Sequence, residues 1–108
     1  MSTLGETWRD PIESVLKTGF MNFKSLRYGV AGLAKESPGR IDILAVESFR
    51  KRRGSFRKFI KACQEEYDTV CVWVIFEPIV EAALVRYGFK PAVMEGDGTV
   101  PGMRWDRK

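Results

Sequence analysis

Residues 50–61 carry seven Lys or Arg side chains, one Gly and no acid. Arg50, Lys51, Arg52 and Arg53 stand before Gly54 and Ser55, and Arg57, Lys58 and Lys61 follow. Three readings suit such a run: a nucleic-acid patch, a phosphate-binding turn between a strand and a helix, or a solvated helix face. The turn reading has a definite physical basis. A helix starting after Gly54 presents unpaired N–H groups and the positive end of its dipole, and a residue without a Cβ lets the backbone approach a phosphate. Ser48 and Ser55 can bond phosphate oxygens, although Ser55 is equally an ordinary helix-start residue.

The chain has 108 residues and no histidine. His-based triads, His general bases and His-ligated metals are thereby removed together, and no metal site is expected. Catalysis falls to carboxylates, Tyr, Ser, Cys, Lys, backbone groups or the substrate itself. Cys63 and Cys71 lack CxxC spacing and sit among apolar residues, as reduced core cysteines do. Outside the basic run, 11 basic residues stand against 14 acids. Charge concentrated in this way points to an anionic ligand or partner at one site, rather than a surface coated for DNA. No apolar run approaches the ~18 residues of a membrane span, and the first residues lack the form of a signal peptide. A cytoplasmic location without a membrane partner is expected.

The elements that must position the basic run follow from local pattern. Residues 10–18 read as a short helix, capped by Asp10, with Pro11 in its first turn and Gly19 beyond its end. Residues 20–26 fit neither period. Residues 28–34 and 40–46 read as strands joined by the turn residues Lys35-Glu36-Ser37-Pro38-Gly39. From 55 to 67, Phe56, Phe59, Ile60, Cys63 and Tyr67 form one helical stripe. The continuous β-branched and aromatic run at 69–76 predicts a strand buried on both faces. Glu77 and Pro78 open a second helix, with Ile79, Val80, Ala83, Leu84 and Tyr87 inward and Gly88 at its end. A hairpin over 90–95 and 99–105 follows, turning at Gly96-Asp97-Gly98. The expected fold class is mixed α/β, a mostly antiparallel sheet with flanking helices and a strand–turn–helix at its centre. One domain over 1–108 is expected, with an N-terminal helical segment at 1–26 and a core at 27–105.

Val46 at a strand end, followed by Lys51, Gly54 and Phe56, resembles motif A of the Gcn5-related N-acetyltransferase (GNAT) superfamily. That motif places Arg or Gln, then Gly, then Gly or Ala at these spacings. Downstream, the buried strand, the helix and Arg86-Tyr87-Gly88-Phe89 look like the superfamily's second block, which ends in Gly-Phe. The hairpin with Met103-Arg104-Trp105 is similar to the terminal strands of small phage-encoded members, among them acetyltransferase-type anti-CRISPR proteins and a virion-associated branch. The resemblance spans about 28–105 and is tightest over 41–89. It implies a minimal GNAT-like acyl-CoA N-acyltransferase fold that uses acetyl-coenzyme A. Leu44, Ala45 and Val46 would run beside the pantetheine arm. Lys51, Arg52, Arg53, Gly54, Ser55 and Phe56 would hold the pyrophosphate.

Two departures from the motif bear on the implied chemistry. Phe56 stands where a small residue is usual, so its ring either crowds the pyrophosphate or turns inward as the first residue of the helical stripe. Leu84 stands where many members place a Tyr that protonates the departing thiolate; Tyr87 lies on another side of that helix and is expected to pack. The implied activity is acetyl transfer to an amine on a protein or other macromolecule, by direct attack on the thioester. Such an attack needs a base. Glu47, one residue past the strand end, and Glu77, at the mouth of the next strand, are the candidates, and Glu77 also suits the dipole at its helix N-terminus. The alternative is a catalytically inactive GNAT-like binding or phage structural protein. It would use Arg50, Lys51, Arg52, Arg53, Arg57 and Lys58 on nucleic acid or an acidic partner. For a phage-encoded member the compartment would be the host cytoplasm or the virion.

Overall fold

The computed structural model describes residues 4–8, 20–49, 54–73, 78–93 and 101–107. Along the chain run β1 (Glu6–Trp8), β2 (Met21–Ser25), β3 (Val30–Ser37), β4 (Arg40–Ser48) and α1 (Ser55–Glu66). They are followed by β5 (Thr69–Trp73), α2 (Pro78–Arg86), β6 (Lys90–Val93) and β7 (Pro101–Asp106). The strands form one seven-stranded sheet in the order β1-β2-β3-β4-β5-β7-β6. Among the described strands only β4 and β5 ladder in parallel, with α1 as the crossover that parallel neighbours require. The mixed, mostly antiparallel α/β class read from the sequence is the observed one.

Local chemistry explains most of the boundaries. Ser37 pairs with Arg40, so Pro38 and Gly39 alone make the β3–β4 turn, and Lys35, Glu36 and Ser37 belong to β3. Tyr28 falls in the preceding turn, where the Gly29 N–H donates to the Ser25 carbonyl at 2.8 Å. The expectation of a helical 1–26 segment is corrected. Within it, β1 and β2 are strands of the sheet, and the helix expected at 10–18 lies outside the described residues. β2 joins because Phe23 and Ser25 are buried on one face while Lys24 is exposed on the other.

The core lies between the sheet and the two helices. Phe23 of β2 stacks on Phe59 of α1 with centroids 5.4 Å apart, and Tyr28 meets the same ring edge-on at 6.2 Å. Ile60, Cys63 and Leu84 join them in one cluster with Ile41, Ile43, Val70 and Val72. Val70, Cys71, Val72 and Trp73 are all buried, as a central strand requires. The C-terminal end of α1 has no basic residue of its own. Arg107, just past β7, supplies one: its Nη2 donates to the carbonyls of Gln64 (2.8 Å), Glu65 (2.9 Å) and Tyr67 (3.2 Å). The Tyr67 hydroxyl donates to Glu36 at 2.8 Å, and Gln64 Nε2 donates to the Tyr87 carbonyl at 3.0 Å. With that end held, the N-terminal end of α1 has a fixed place beside the end of β4. No helix among the described residues is long and apolar enough to cross a membrane.

Candidate functional site

The sheet opens at the end of β4. Leu33 pairs with Ala45 but Ala34 pairs with Ile43, which leaves Leu44 as an extra residue in β4, a β-bulge. Among the described residues, pairing of β4 with β5 has its last step at the same place, Ile43 opposite Val72. From Ala45 to Ser48, β4 is laddered to β3 alone among the described residues. Gly32 permits this course. The Ala45 carbonyl and the Val46 Cα occupy the space that a Cβ on Gly32 would need, so the bulge is specified by residues on two strands.

Residues directly paired across a ladder share a face, and successive residues alternate. Phe23, Gly32 and Val46 therefore look toward the helices with Ser48, while Asn22, Ala31, Leu33, Ala45 and Glu47 look the other way. On the helix face, α1 starts at Gly54, whose φ of 85° is left-handed and suits glycine. Gly54 supplies no capping side chain, and no acid stands in the first turn. The Lys58 N–H donates to the Gly54 carbonyl at 2.9 Å, so the N–H groups of Ser55, Phe56 and Arg57 lie ahead of the helical ladder. Between this helix start and α2 is a cavity of about 800 Å³, bordered by Ser48, Gly54, Phe56, Lys61, Ala83 and Tyr87. That volume is in the range of small-molecule sites.

Phe56 is half-buried; it packs at the margin of the core and also forms part of the cavity wall. The ring thus meets the core and the cavity at once, and the cavity stays open beside it. Ser55 is buried and borders the same cavity, as do Arg57 and Lys58 at its exposed rim. Tyr87 packs against the core, as expected, but it also borders the cavity. It sits seven residues after Val80, on one helical stripe with it, which is the signal that could have placed it there.

A second, smaller groove of about 400 Å³ is lined by Ala45 and Glu47 with Asn22, Ala31 and Leu33 from the opposite face, and also by Phe23, Gly32 and Val46. The expected site residues are thus divided by the strand. Gly54, Ser55 and Phe56 border the helix-face cavity, Ala45 and Glu47 border the opposite groove, Val46 lines that groove but packs against the core, and Leu44 is the bulge beside them. Arg50, Lys51, Arg52, Arg53 and Glu77 lie outside the described residues.

Neither a family model, nor a curated protein, nor a solved structure matches the chain.

The remaining polar groups near the split brace it. Arg40 makes two bonds to Asp42, each at 3.0 Å, and the indole N–H of buried Trp73 donates to Asp42 Oδ1 at 3.0 Å. This trio ties β4 to β5 just before their ladder ends. Burial pushes the Cys71 thiol up to about 11, with Asp42 adding to the shift. Burial also raises the Cys63 thiol, helped by Glu66 and Glu36. Neither is a thiolate near neutral pH, so a cysteine nucleophile is not available. Burial, then the hydrogen bond to Glu36, likewise raises the Tyr67 phenol. Among the described residues no group of three or more Cys, Asp or Glu is arranged to hold a metal ion.

Proposed function

We propose that the chain is an acyl-CoA-dependent N-acyltransferase of minimal GNAT-like fold, which acetylates an amine on a protein or other macromolecule. One observation carries this reading. Among the described residues the parallel ladder of β4 and β5 has its last step at Ile43, beside the Leu44 bulge, and β4 runs on to Ser48, which shares a cavity with the Gly54 start of α1. The end of β4 at Ser48, a ligand-sized cavity and a helix start without a side-chain cap therefore adjoin one another.

The residues fit acyl-coenzyme A. The amides of Ser55, Phe56 and Arg57, with Arg57, Lys58 and Lys61 on the same rim, suit a pyrophosphate. Residues 44–46, which have no β5 partner among the described residues, offer backbone donors and acceptors to an extended, amide-bearing arm, much as a sheet edge receives a strand. Phe56, Val80, Ala83 and Tyr87 give the cavity an apolar wall. When bound, acyl-coenzyme A supplies a thioester whose carbon–sulfur bond breaks as the amine nitrogen bonds to the acyl carbon. Glu47, on the face away from the helices, takes the proton that the nitrogen sheds and passes it to water. Leu84 is fully buried, so no acid serves the leaving group from that position.

Calorimetric titration with acetyl-coenzyme A tests the reading. Saturable binding is expected for the wild-type chain. Gly54→Val, which meets no atom within 4 Å but strains a left-handed residue, should lose it while keeping the circular dichroism of the fold. Absence of binding at millimolar acetyl-coenzyme A, with nucleic-acid binding that falls steeply with salt, would instead favour the inactive binding protein.

A further inference from the structure

The turn from β2 to β3 and the end of β4 meet in one cross-strand row, with Ser25 opposite Val30 and Val30 opposite Ser48. The Phe49 N–H donates to the Gly29 carbonyl at 3.0 Å, which fixes the end of β4 against that turn. Two of the large apolar side chains left exposed stand here, Leu26 at 55% and Phe49 at 42%. Cations accompany the rings. Lys24 Nζ lies 5.3 Å from the centre of the Phe49 ring, and the Arg27 guanidinium lies 5.5 Å from that of Tyr28. Tyr28 is half-buried and meets Phe59 edge-on, so the Arg27 pair rests on the core. Lys24 has Glu6 opposite it on β1 and shares its row with Glu47, yet it forms an ion pair with neither. Directly after Phe49 the sequence runs on as Arg50-Lys51-Arg52-Arg53, so the field at this end of the sheet is strongly positive.

A ring exposed among cations calls for a partner that brings flat apolar surface and negative charge together. Nucleic acid does so, but only a single strand leaves the faces of its bases open to a protein ring. An acidic peptide would satisfy the cations and leave Phe49 uncovered. A lipid surface would draw Phe49 and Leu26 toward hydrocarbon, and with them the ammonium held over the Phe49 ring, which is costly there. We propose that this end of the sheet binds single-stranded nucleic acid, with a base stacked on Phe49 and neighbouring phosphates on Lys24 and Arg27. Lys24, Leu26, Arg27, Tyr28 and Phe49 all lie outside the lining of the cavity assigned to acyl-coenzyme A. The inference therefore stands apart from the acyltransferase reading, and the two ligands can be measured separately.

Fluorescence anisotropy of labelled strands of about 12 nucleotides, within the span of one such surface, tests this. The probes are single-stranded DNA, RNA of the same sequence, the corresponding duplex and an abasic strand of equal length. Saturable binding to at least one base-bearing single strand is expected, about tenfold tighter than to the abasic strand, the scale of one stacked base. The tighter of DNA and RNA identifies the source, and the duplex should bind more weakly than either. Phe49→Ala should lower affinity to the abasic level, as should Phe49→Leu, which keeps apolar bulk without a π-face; Phe49→Trp should keep it. Lys24→Ala and Arg27→Ala should each reduce the slope of log affinity against log salt by about 0.7. The proposal is overturned if base-bearing and abasic strands bind alike, or if Phe49→Ala and Phe49→Leu bind as the wild type does. It is also overturned if vesicles containing phosphatidylglycerol bind the chain while the strands do not.

Discussion

Gly32 lies directly against the Ala45 carbonyl, with no room for a Cβ between the two strands. The neighbour is backbone, not the tip of a flexible side chain, so it cannot swing aside. Ala45 can follow the Leu44 bulge only because position 32 is glycine. Gly32→Ala should therefore cost about 1–3 kcal/mol, as overpacking does. It should also weaken acetyl-coenzyme A binding by disturbing the opening. Urea unfolding reports the first effect as a lower midpoint at unchanged slope, and calorimetry reports the second. A variant of wild-type stability would show that the bulge does not depend on Gly32.

Asp42 holds β4 to β5 through the buried Trp73 indole, and is itself held by Arg40 two residues away on β4. Asp42→Ala leaves the Arg40 guanidinium able to rehydrate, since its side chain is 28% exposed. The Trp73 N–H has no such recourse, because Trp73 is only 3% exposed. The expected loss is roughly 2 kcal/mol, mostly from that stranded donor. Trp73→Phe removes the donor together with its need, so a double-mutant cycle should give a positive coupling between the two positions. Additive losses would contradict the bond.

The stability of the fold should fall in alkali. Cys63, Tyr67 and Cys71 hold their protons more tightly when folded, burial being the first cause in each. Once unfolded thiols start to ionise, near the ordinary value of 9.0, the folded state binds more protons than the unfolded one, and rising pH favours unfolding. The contribution is present in full below that pH and is lost as pH rises, for Cys71 through about 11. Thermal midpoints should drop above pH 9, and Tyr67→Phe or Cys71→Ala should flatten the drop. A level profile would mean that these groups are hydrated.

The parts of this fold that obey a local period were legible in the sequence. Phe56, Phe59, Ile60 and Cys63 announce α1, and the unbroken run from Val70 to Trp73 announces a strand covered on both faces. β2 was not legible, because its alternation rests on Met21 and Phe23 alone, and the other buried position is the polar Ser25. β1 has three residues, too few to show any period. The β3–β4 turn read as five residues because Lys35, Glu36 and Ser37 are turn-like in chemistry, whereas pairing with β4 keeps them in the strand. For the site, Gly54 was legible as a backbone requirement. The bulge was not, since it arises between Gly32 and Ala45 across two strands, and the same is true of the split it creates.

Glu47→Gln separates binding from proton transfer in the proposed reaction. The exposed carboxylate is no part of the core, so stability and acetyl-coenzyme A affinity should be unchanged. Turnover with an accepted amine should fall about 100-fold or more, the scale of a lost general base. Free thiol released from acetyl-coenzyme A measures this. Equal rates in the two proteins would move the base elsewhere.

The central claim is that acyl-coenzyme A lies along β4 beyond Ile43, its last described partner to β5, with its pyrophosphate at the start of α1. An amide-resolved titration of the wild-type chain with acetyl-coenzyme A tests it most directly. The account predicts saturable shifts at Leu44, Ala45 and Val46 and at Gly54, Ser55 and Phe56, with β1 and β6 unmoved. No shift at millimolar ligand, or shifts confined to other parts of the sheet, would contradict it.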